Sequence, residues 1–111
     1  MLTCILIVHF MPGGSLTHYA GLAAVMRDAG CEVRIEGDCR SACLTLLSVA
    51  CVTPDARLVV HLPSIDTPHW REVMTRDWPP ALGAWYRDLP PGTGPIEVTG
   101  DWIVQGGGRG C

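Results

Sequence analysis

The chain contains no lysine, and this absence removes several chemistries at once. Without lysine there is no Schiff base, no serine–lysine dyad and no P-loop lysine to bind phosphate. The basic residues are eight arginines scattered along a chain whose formal net charge is −3, so no basic patch is present to hold a phosphate backbone. The sequence therefore argues against nucleic-acid binding.

Long hydrophobic runs are also missing. The apolar stretches are interrupted well short of the ~20 residues that span a bilayer, so no membrane segment is expected. The first residues, MLTCILIVHFMP, have no basic region ahead of the apolar stretch, which favours a β-strand over a signal peptide. We therefore expect the protein to be cytoplasmic. A periplasmic location is the alternative, if a precursor of the protein carries a signal peptide.

The six cysteines include no C-x-x-C pair. Neither a zinc ribbon nor a thioredoxin site is therefore predicted, and no metal or cofactor is expected. Three cysteines in apolar runs are expected to be small buried hydrophobic residues: Cys4, Cys31 and Cys51. Cys39 and Cys43 bracket Ser41 and could form a disulfide in an oxidising compartment, although free thiols are favoured.

With 111 residues, 48% of them hydrophobic, the chain can bury the core of one domain. We assign residues 1–104 to a single α/β domain and residues 105–111, which include Cys111, to a glycine-rich C-terminal tail.

Hydrophobic periodicity predicts strands and helices in alternation. The predicted strands cover residues 2–10, 31–36 and 57–62. Helices are expected over 16–29, between an N-cap at Ser15 and Gly30, and over about 41–51. Short helices over 69–76 and 79–87 and a last strand or hairpin over 95–104 follow. The short connections predict a parallel sheet built from right-handed βαβ units.

Polar residues and glycines follow each of the three predicted strands. In an open α/β sheet, ligands bind at the carboxyl ends of the strands, so Gly13–Gly14, Ser41 and His61 are expected at one edge. Backbone N–H groups at a helix start stabilise developing negative charge, and histidine can act as a general base near neutrality. The alternatives stay open: Ser41 as a helix cap, the glycines as a turn, and His61 as a structural residue.

The order of these motifs resembles the Clp peptidase/crotonase superfamily. PGGS (12–15), RSACLTLLSVA (40–50) and PDARLVVH (54–61) follow one another as in its serine peptidases. CRSAC (39–43) is similar to the C-x-S-A-C of small bacterial Clp-like proteins. The resemblance covers residues 5–64 and implies a minimal ClpP/crotonase-like core with a mostly parallel sheet.

The resemblance also implies roles for individual residues. Ser41 would be the nucleophile, His61 the base, and the backbone N–H groups of Gly13 or Gly14 and of Ala42 the oxyanion hole. In the Clp peptidases an acidic residue completes a catalytic triad with the serine and the histidine. The segment that carries this acid is similar to MTRDWPPALGAWYRDL (74–89).

That segment makes Asp77 the expected acid, with Asp66, closer in the loop after His61, as the alternative. Only a short segment separates His61 from Asp77, so the long helical handle that Clp peptidases use in ring assembly is missing.

Three functions remain in view. The leading one is a serine peptidase-like hydrolase acting on peptide or protein substrates. The alternative is a catalytically silent Clp-like binding or structural module in a larger assembly, such as one of phage origin. A crotonase-type acyl-CoA enzyme ranks last, because crotonase-type members of the superfamily do not usually use a Ser–His pair for catalysis. The C-terminal half is expected to contact a second copy or a protein partner through four tryptophans: Trp70, Trp78, Trp85 and Trp102.

Overall fold

The structure is a computed structural model that describes residues 4–111. Its strands are β1 (Ile5–Met11), β2 (Glu32–Arg40), β3 (Ala50–Val52), β4 (Arg57–Val60), β5 (Ile96–Thr99) and β6 (Arg109–Gly110). Its α-helices are α1 (Leu16–Ala29), α2 (Pro68–Thr75), α3 (Pro80–Arg87) and α4 (Gly100–Gln105), and a 3-10 helix spans Ser41–Ser48. Within this range no helix is long and apolar enough to cross a bilayer.

The sheet is organised around β2. Along one edge β2 pairs in parallel with β1, and along the other it pairs first with β3 and then with β4, both in parallel. β6 runs parallel to β3, whereas β5 runs antiparallel to β4. The expectation of a mostly parallel sheet is met only in part: the sheet is mixed, and it curls because β2 changes partner halfway along its length.

The early part of the chain agrees with the sequence-based expectations. β1, β2 and β4 are parallel neighbours, although residues 2 and 3 of the first predicted strand lie outside the described residues. The helix predicted over 16–29 is α1. The Ser15 hydroxyl accepts a hydrogen bond from the His18 N–H at its start, and Gly30 ends it in the left-handed conformation with φ 69°. Helices α2 and α3 also lie close to their predicted positions.

Two later segments differ from expectation. The helix predicted over 41–51 is a 3-10 helix that ends at Ser48, and the next residues form β3, buried throughout. A continuous apolar run is compatible with either a buried helix or a buried strand, so periodicity could not separate them. The strand or hairpin predicted over 95–104 divides into β5 and α4, because the Thr99 hydroxyl accepts the Trp102 N–H and starts a helix there.

The C-terminal residues are part of the fold and do not form a free tail. β6 adds to the sheet beside β3, and the Cys111 N–H donates to the Val52 carbonyl at 3.0 Å. A disulfide joins Cys111 to Cys51 in β3. The segment 105–111 therefore belongs to the domain: Gln105 ends α4, and Arg109–Gly110 pair with β3.

All six cysteines are paired, where free thiols were expected. The pairs are Cys4–Cys31, Cys39–Cys43 and Cys51–Cys111. The strand pairing brings together residues that lie far apart in the chain; the Glu32 N–H, for example, donates to the Cys4 carbonyl at 2.9 Å. Cys4 is exposed and Cys31 half-buried, so the prediction that both are buried hydrophobic residues is wrong.

The core lies on one face of the sheet, beneath α1, α2, α3 and the 3-10 helix. Its largest fully buried side chains include Tyr86, Ile35, Leu44, Leu46 and Leu58. The 3-10 helix lies against both α1 and α2. This packing fixes the end of β2, where the 3-10 helix begins, against the start of α1.

Candidate functional site

Ser41 occupies the turn at which β2 passes directly into the 3-10 helix. Its φ is +56°, in the left-handed region that residues other than glycine seldom adopt. The Ser41 hydroxyl makes no hydrogen bond to any group in residues 4–111, and the helix start carries no side-chain cap. Ser41 is therefore not a helix cap. A strained serine on a strand-to-helix turn is the geometry of a nucleophile elbow.

Gly13 lies against this turn. A Cβ added to Gly13 would lie 2.7 Å from the Arg40 carbonyl oxygen and 2.9 Å from the Ser41 Cβ, so only glycine fits there. Its φ is +94°, and that of Gly14 is +143°. The turn after β1 and the turn after β2 therefore touch, as the order of the strands predicted.

Backbone N–H donors collect at the contact between these two turns. Among the described residues, the N–H groups of Gly13 and Gly14 have no hydrogen-bond acceptor. The Ala42 N–H belongs to the first turn of the 3-10 helix, where helix geometry supplies no partner. Its nitrogen lies 3.5 Å from the position of a Cβ on Gly13. The three residues predicted as an oxyanion hole are thus brought together beside Ser41.

A small cleft of about 260 Å³ opens at this point. Ser41 and Ala42 form one side, and Gly14 with the first residues of α1 forms another. The loop 63–65 and two residues of α2, Trp70 and Met74, complete the lining, which contains no charged side chain. The cleft is suited to an uncharged, mostly apolar segment of a ligand.

His61 follows β4 directly and is half-buried. β4 pairs with the last residues of β2, Arg40 opposite Val59, so His61 and Ser41 emerge at the same edge of neighbouring strands. His61 does not line the cleft. Among the hydrogen bonds of residues 4–111, none joins the Ser41 side chain to the His61 side chain. The structure thus places the pair on adjacent strand ends, without the hydrogen bond that joins a nucleophile to its general base.

A backbone contact determines the protonation pattern of the His61 ring. Nδ1 lies 2.7 Å from the carbonyl oxygen of Leu62. Because a carbonyl can only accept, Nδ1 must be the protonated nitrogen, which leaves Nε2 of the neutral ring as an acceptor. The Tyr86 hydroxyl donates to the His61 carbonyl at 2.9 Å and holds the backbone. Burial raises the pKa of Tyr86, so the phenol stays protonated as a donor.

Asp77 is not part of this site. Its carboxylate accepts a hydrogen bond at 2.9 Å from Arg27, in the last turn of α1. The cleft lies at the other end of α1, beside Ser15, and at 1.5 Å per residue the helix places Arg27 about 18 Å from Ser15. The structure thus places the carboxylate predicted as the acid beside Arg27, and among residues 4–111 no hydrogen bond joins it to His61.

Asp66 is held by an arginine. Nε and a terminal nitrogen of Arg71 donate to its two carboxylate oxygens at 2.7 and 2.8 Å. The hydrogen bonds from Arg71 hold the pKa of the Asp66 carboxyl below its ordinary value. The buried Arg71 also donates to the carbonyls of Arg87 and Leu89, at 3.0 and 2.6 Å. Asp66 thus fixes the loop after His61 to α2 and α3 and makes no hydrogen bond to the imidazole.

Leu62 and Tyr86 make contacts to His61 that sequence reasoning missed. The Leu62 contact comes from a backbone carbonyl, which leaves no trace in the sequence. Tyr86 carries a weak signal, because a tyrosine in an apolar helix needs a partner for its hydroxyl.

A larger cleft of about 570 Å³ lies near the end of α1, lined by Arg27, Ser48 and Arg109 among others. Its serine, Ser48, donates its hydroxyl to the Thr45 carbonyl at 3.0 Å, unlike the unbonded Ser41 hydroxyl. Arg27 is engaged by Asp77, and Arg109 donates to the Val49 carbonyl at 3.2 Å. The Ser41 cleft is therefore the better candidate for chemistry.

No family model, curated protein or solved structure matches the chain. The resemblance to Clp-like peptidases therefore depends on residues 5–64 alone.

Proposed function

We propose that this protein is a serine hydrolase of the peptidase kind, with Ser41 as nucleophile and His61 as general base. The observation that carries the proposal is the Ser41 backbone, which is left-handed at a strand-to-helix turn against Gly13. Ser41 has an unbonded hydroxyl and lines the cleft. Backbone strain of this kind costs about 1–3 kcal/mol and clusters at functional sites, although Asp77, at φ +63°, also lies in this region among the described residues.

The reaction would follow from the groups present. Ser41 Oγ attacks the carbonyl carbon of an amide or ester, and Nε2 of His61 takes the hydroxyl proton. The oxyanion that forms accepts hydrogen bonds from the N–H groups of Gly13 or Gly14 and of Ala42. His61 then gives the proton to the leaving amine or alcohol. A water molecule, deprotonated by His61, releases the acyl group and restores the Ser41 hydroxyl.

The catalytic unit would be a dyad, since the Leu62 carbonyl orients the imidazole. A neutral carbonyl fixes the tautomer, but it stabilises the imidazolium less than a carboxylate does. We therefore expect slower turnover than a Ser–His–Asp triad supports. The order of motifs over residues 5–64, similar to that of Clp-like serine peptidases, adds support for the peptidase assignment.

A catalytically silent Clp-like binding module is the second candidate. It is favoured by the missing Ser41–His61 hydrogen bond and by the engagement of Asp66 and Asp77 with arginines. In that case the uncharged cleft would hold a peptide segment without cleaving it.

Turnover of a panel of fluorogenic peptide amides and esters separates the two candidates. Ser41→Ala and His61→Ala should each remove nearly all of the activity, and the double variant should lose no more, because such residues act as a unit. Ser64→Ala, which alters the lining of the same cleft, is the matched control and should retain activity. No turnover by the wild-type protein, together with shifts of the Gly14 and Ala42 amide resonances on adding peptide, would establish the binding module instead.

We also propose an oxidising compartment for this protein. Three disulfides in one small domain are typical of secreted or periplasmic proteins and rare in the cytoplasm, where thiols are kept reduced. This proposal replaces the cytoplasmic expectation, which was drawn from the first residues of the chain.

A further inference from the structure

β1 is an open edge of the sheet. It pairs with β2 along one side and with no other strand in residues 4–111. The outward N–H and C=O groups of Ile5–Met11 therefore form a row without strand partners, and such a row is a template for another extended segment.

The other edges of the sheet carry the usual protection, but β1 does not. β5 carries Glu97, which accepts a hydrogen bond from Arg57 on β4 at 2.8 Å, and β6 is only two residues long. The sequence of β1, ILIVHFM, contains no proline, no lysine and no carboxylate. The irregularity in the β1–β2 pairing lies between Val8 and Phe10 and places its one additional residue on β2, not on the edge strand.

Large apolar side chains on β1 are open to solvent. Ile5, Ile7 and Phe10 are 53%, 44% and 61% exposed. Natural edge strands avoid this combination of free backbone and exposed apolar side chains, because it promotes association. The strand therefore has the features of an interface.

We propose that β1 pairs with β1 of a second copy of this chain, antiparallel across a two-fold axis, to form one sheet through a homodimer. A free edge selects an extended strand as its partner, and a two-fold axis places β1 opposite itself. Because β1 carries no fixed charge, this pairing brings no like charges together. The exposed isoleucines and phenylalanine of the two copies become cross-strand neighbours, as in other antiparallel pairs.

The dimer does not depend on the proposed hydrolase activity. It moves the expected contact away from the tryptophan-rich C-terminal half, where much of the aromatic surface is used within the fold. Trp78 is buried, and Trp85 packs edge to face against Trp102 with ring centroids 5.0 Å apart. Pairing of a single seven-residue strand makes an interface smaller than the standard size of about 1,600 Å², so we expect a weak dimer.

Sedimentation equilibrium of the full chain, from micromolar to hundreds of micromolar without reductant, tests the proposal. The wild-type protein should dimerise, and Ile7→Lys should weaken the dimer at least tenfold by placing a charge on the edge. In two matched controls, lysine replaces an exposed valine outside β1. These are Val25→Lys on α1, where the valine is 60% exposed, and Val104→Lys on α4, where it is 39% exposed. Both should dimerise as the wild type does, and far-UV circular dichroism should show that each variant is folded.

Amide hydrogen exchange distinguishes edge pairing from contact through a side-chain face. In the dimer, the outward N–H groups of β1 should exchange more slowly than in the Ile7→Lys monomer. A wild-type protein that stays monomeric at the highest concentration overturns the proposal, as does an Ile7→Lys variant that dimerises normally. Dissociation by Val104→Lys alone would assign the contact to the C-terminal half.

Discussion

Gly13 lies against Ser41 so closely that a Cβ on the glycine would come within 2.9 Å of the serine Cβ. The two residues follow different strands, β1 and β2, and are separated in the chain by the whole of α1 and β2. Their contact joins the turn that supplies free N–H groups to the turn that presents the hydroxyl. The geometry of the candidate site therefore depends on this contact.

Gly13→Ala should damage both the fold and the site. Alanine at φ +94° costs about 1–3 kcal/mol, and its methyl group would also overlap the Arg40 carbonyl oxygen. We expect a lower free energy of unfolding in urea and at least a tenfold slower reaction with a serine-directed phosphonate. The control is Gly21→Ala in α1, where a Cβ meets nothing within 4 Å and helix propensity should raise stability. Equal effects of the two substitutions would contradict the proposed contact.

The three disulfides should differ in what they stabilise. In the loop-closure model, the stabilisation grows with sequence separation, which is 60 for Cys51–Cys111, 27 for Cys4–Cys31 and 4 for Cys39–Cys43. This gives roughly 4, 3.5 and 2 kcal/mol in the same order. Cys39–Cys43, however, brackets Ser41. Replacing that pair by alanines should cost the least stability and the most activity.

The measurements are urea unfolding and phosphonate labelling rate of the three double-alanine variants. Cys51→Ala/Cys111→Ala should be the least stable and should still label at a near wild-type rate under conditions where it is folded. If the labelling rates followed stability across the three variants, the Cys39–Cys43 bridge would have no specific role in holding the Ser41 turn.

Asp77→Asn should leave the labelling rate of Ser41 within a few-fold of the wild-type value. The Asp77 carboxylate bonds Arg27 near the end of α1 that is remote from the cleft. An exposed ion pair of this kind contributes about 0–1 kcal/mol, so stability should also change little. A loss of labelling comparable to that of His61→Ala would show that Asp77 acts on the imidazole after all.

Asp66 should make stability depend on pH. Arg71 lowers its pKa in the folded protein from the ordinary value of 3.8, so the folded state holds the proton less tightly than the unfolded chain does. The stabilisation is therefore present above that value and is lost as the pH falls through the folded-state pKa. Asp66→Asn should be less stable than the wild type at neutral pH. The difference should shrink in urea unfolding below the folded-state pKa, and a difference independent of pH would contradict this role.

The sequence predicted the elements whose ends carry local signals. Ser15 and Gly30 mark α1 because a cap and a left-handed glycine act within a few residues. β3 was missed because a buried apolar run carries no distinguishing period, and α4 was missed although the Thr99 cap at its start is a local signal. The sequence offered Cys39–Cys43 as a possible disulfide, whereas Cys51 and Cys111 could not be paired from it because they meet only through the pairing of β3 with β6.

The site was predictable to the extent that topology determines it. The carboxyl ends of β1 and β2 meet at one edge, which brings Gly13 beside Ser41. The partner of His61 could not be predicted, because Leu62 acts through its backbone carbonyl. Asp77 followed from a resemblance in a segment whose path depends on long-range packing, and the structure places it beside Arg27.

The most direct test of Ser41 as nucleophile is the site of covalent modification by a fluorophosphonate. Intact-mass measurement followed by peptide mapping should find one phosphonyl group, on Ser41, in the native wild-type protein. Denatured protein should not react, because the reaction needs the N–H groups of the folded turns beside the serine. Ser64→Ala should label as the wild type does, and Ser41→Ala should not label. A native protein that takes up no phosphonate, or takes it up on another residue, would contradict the account.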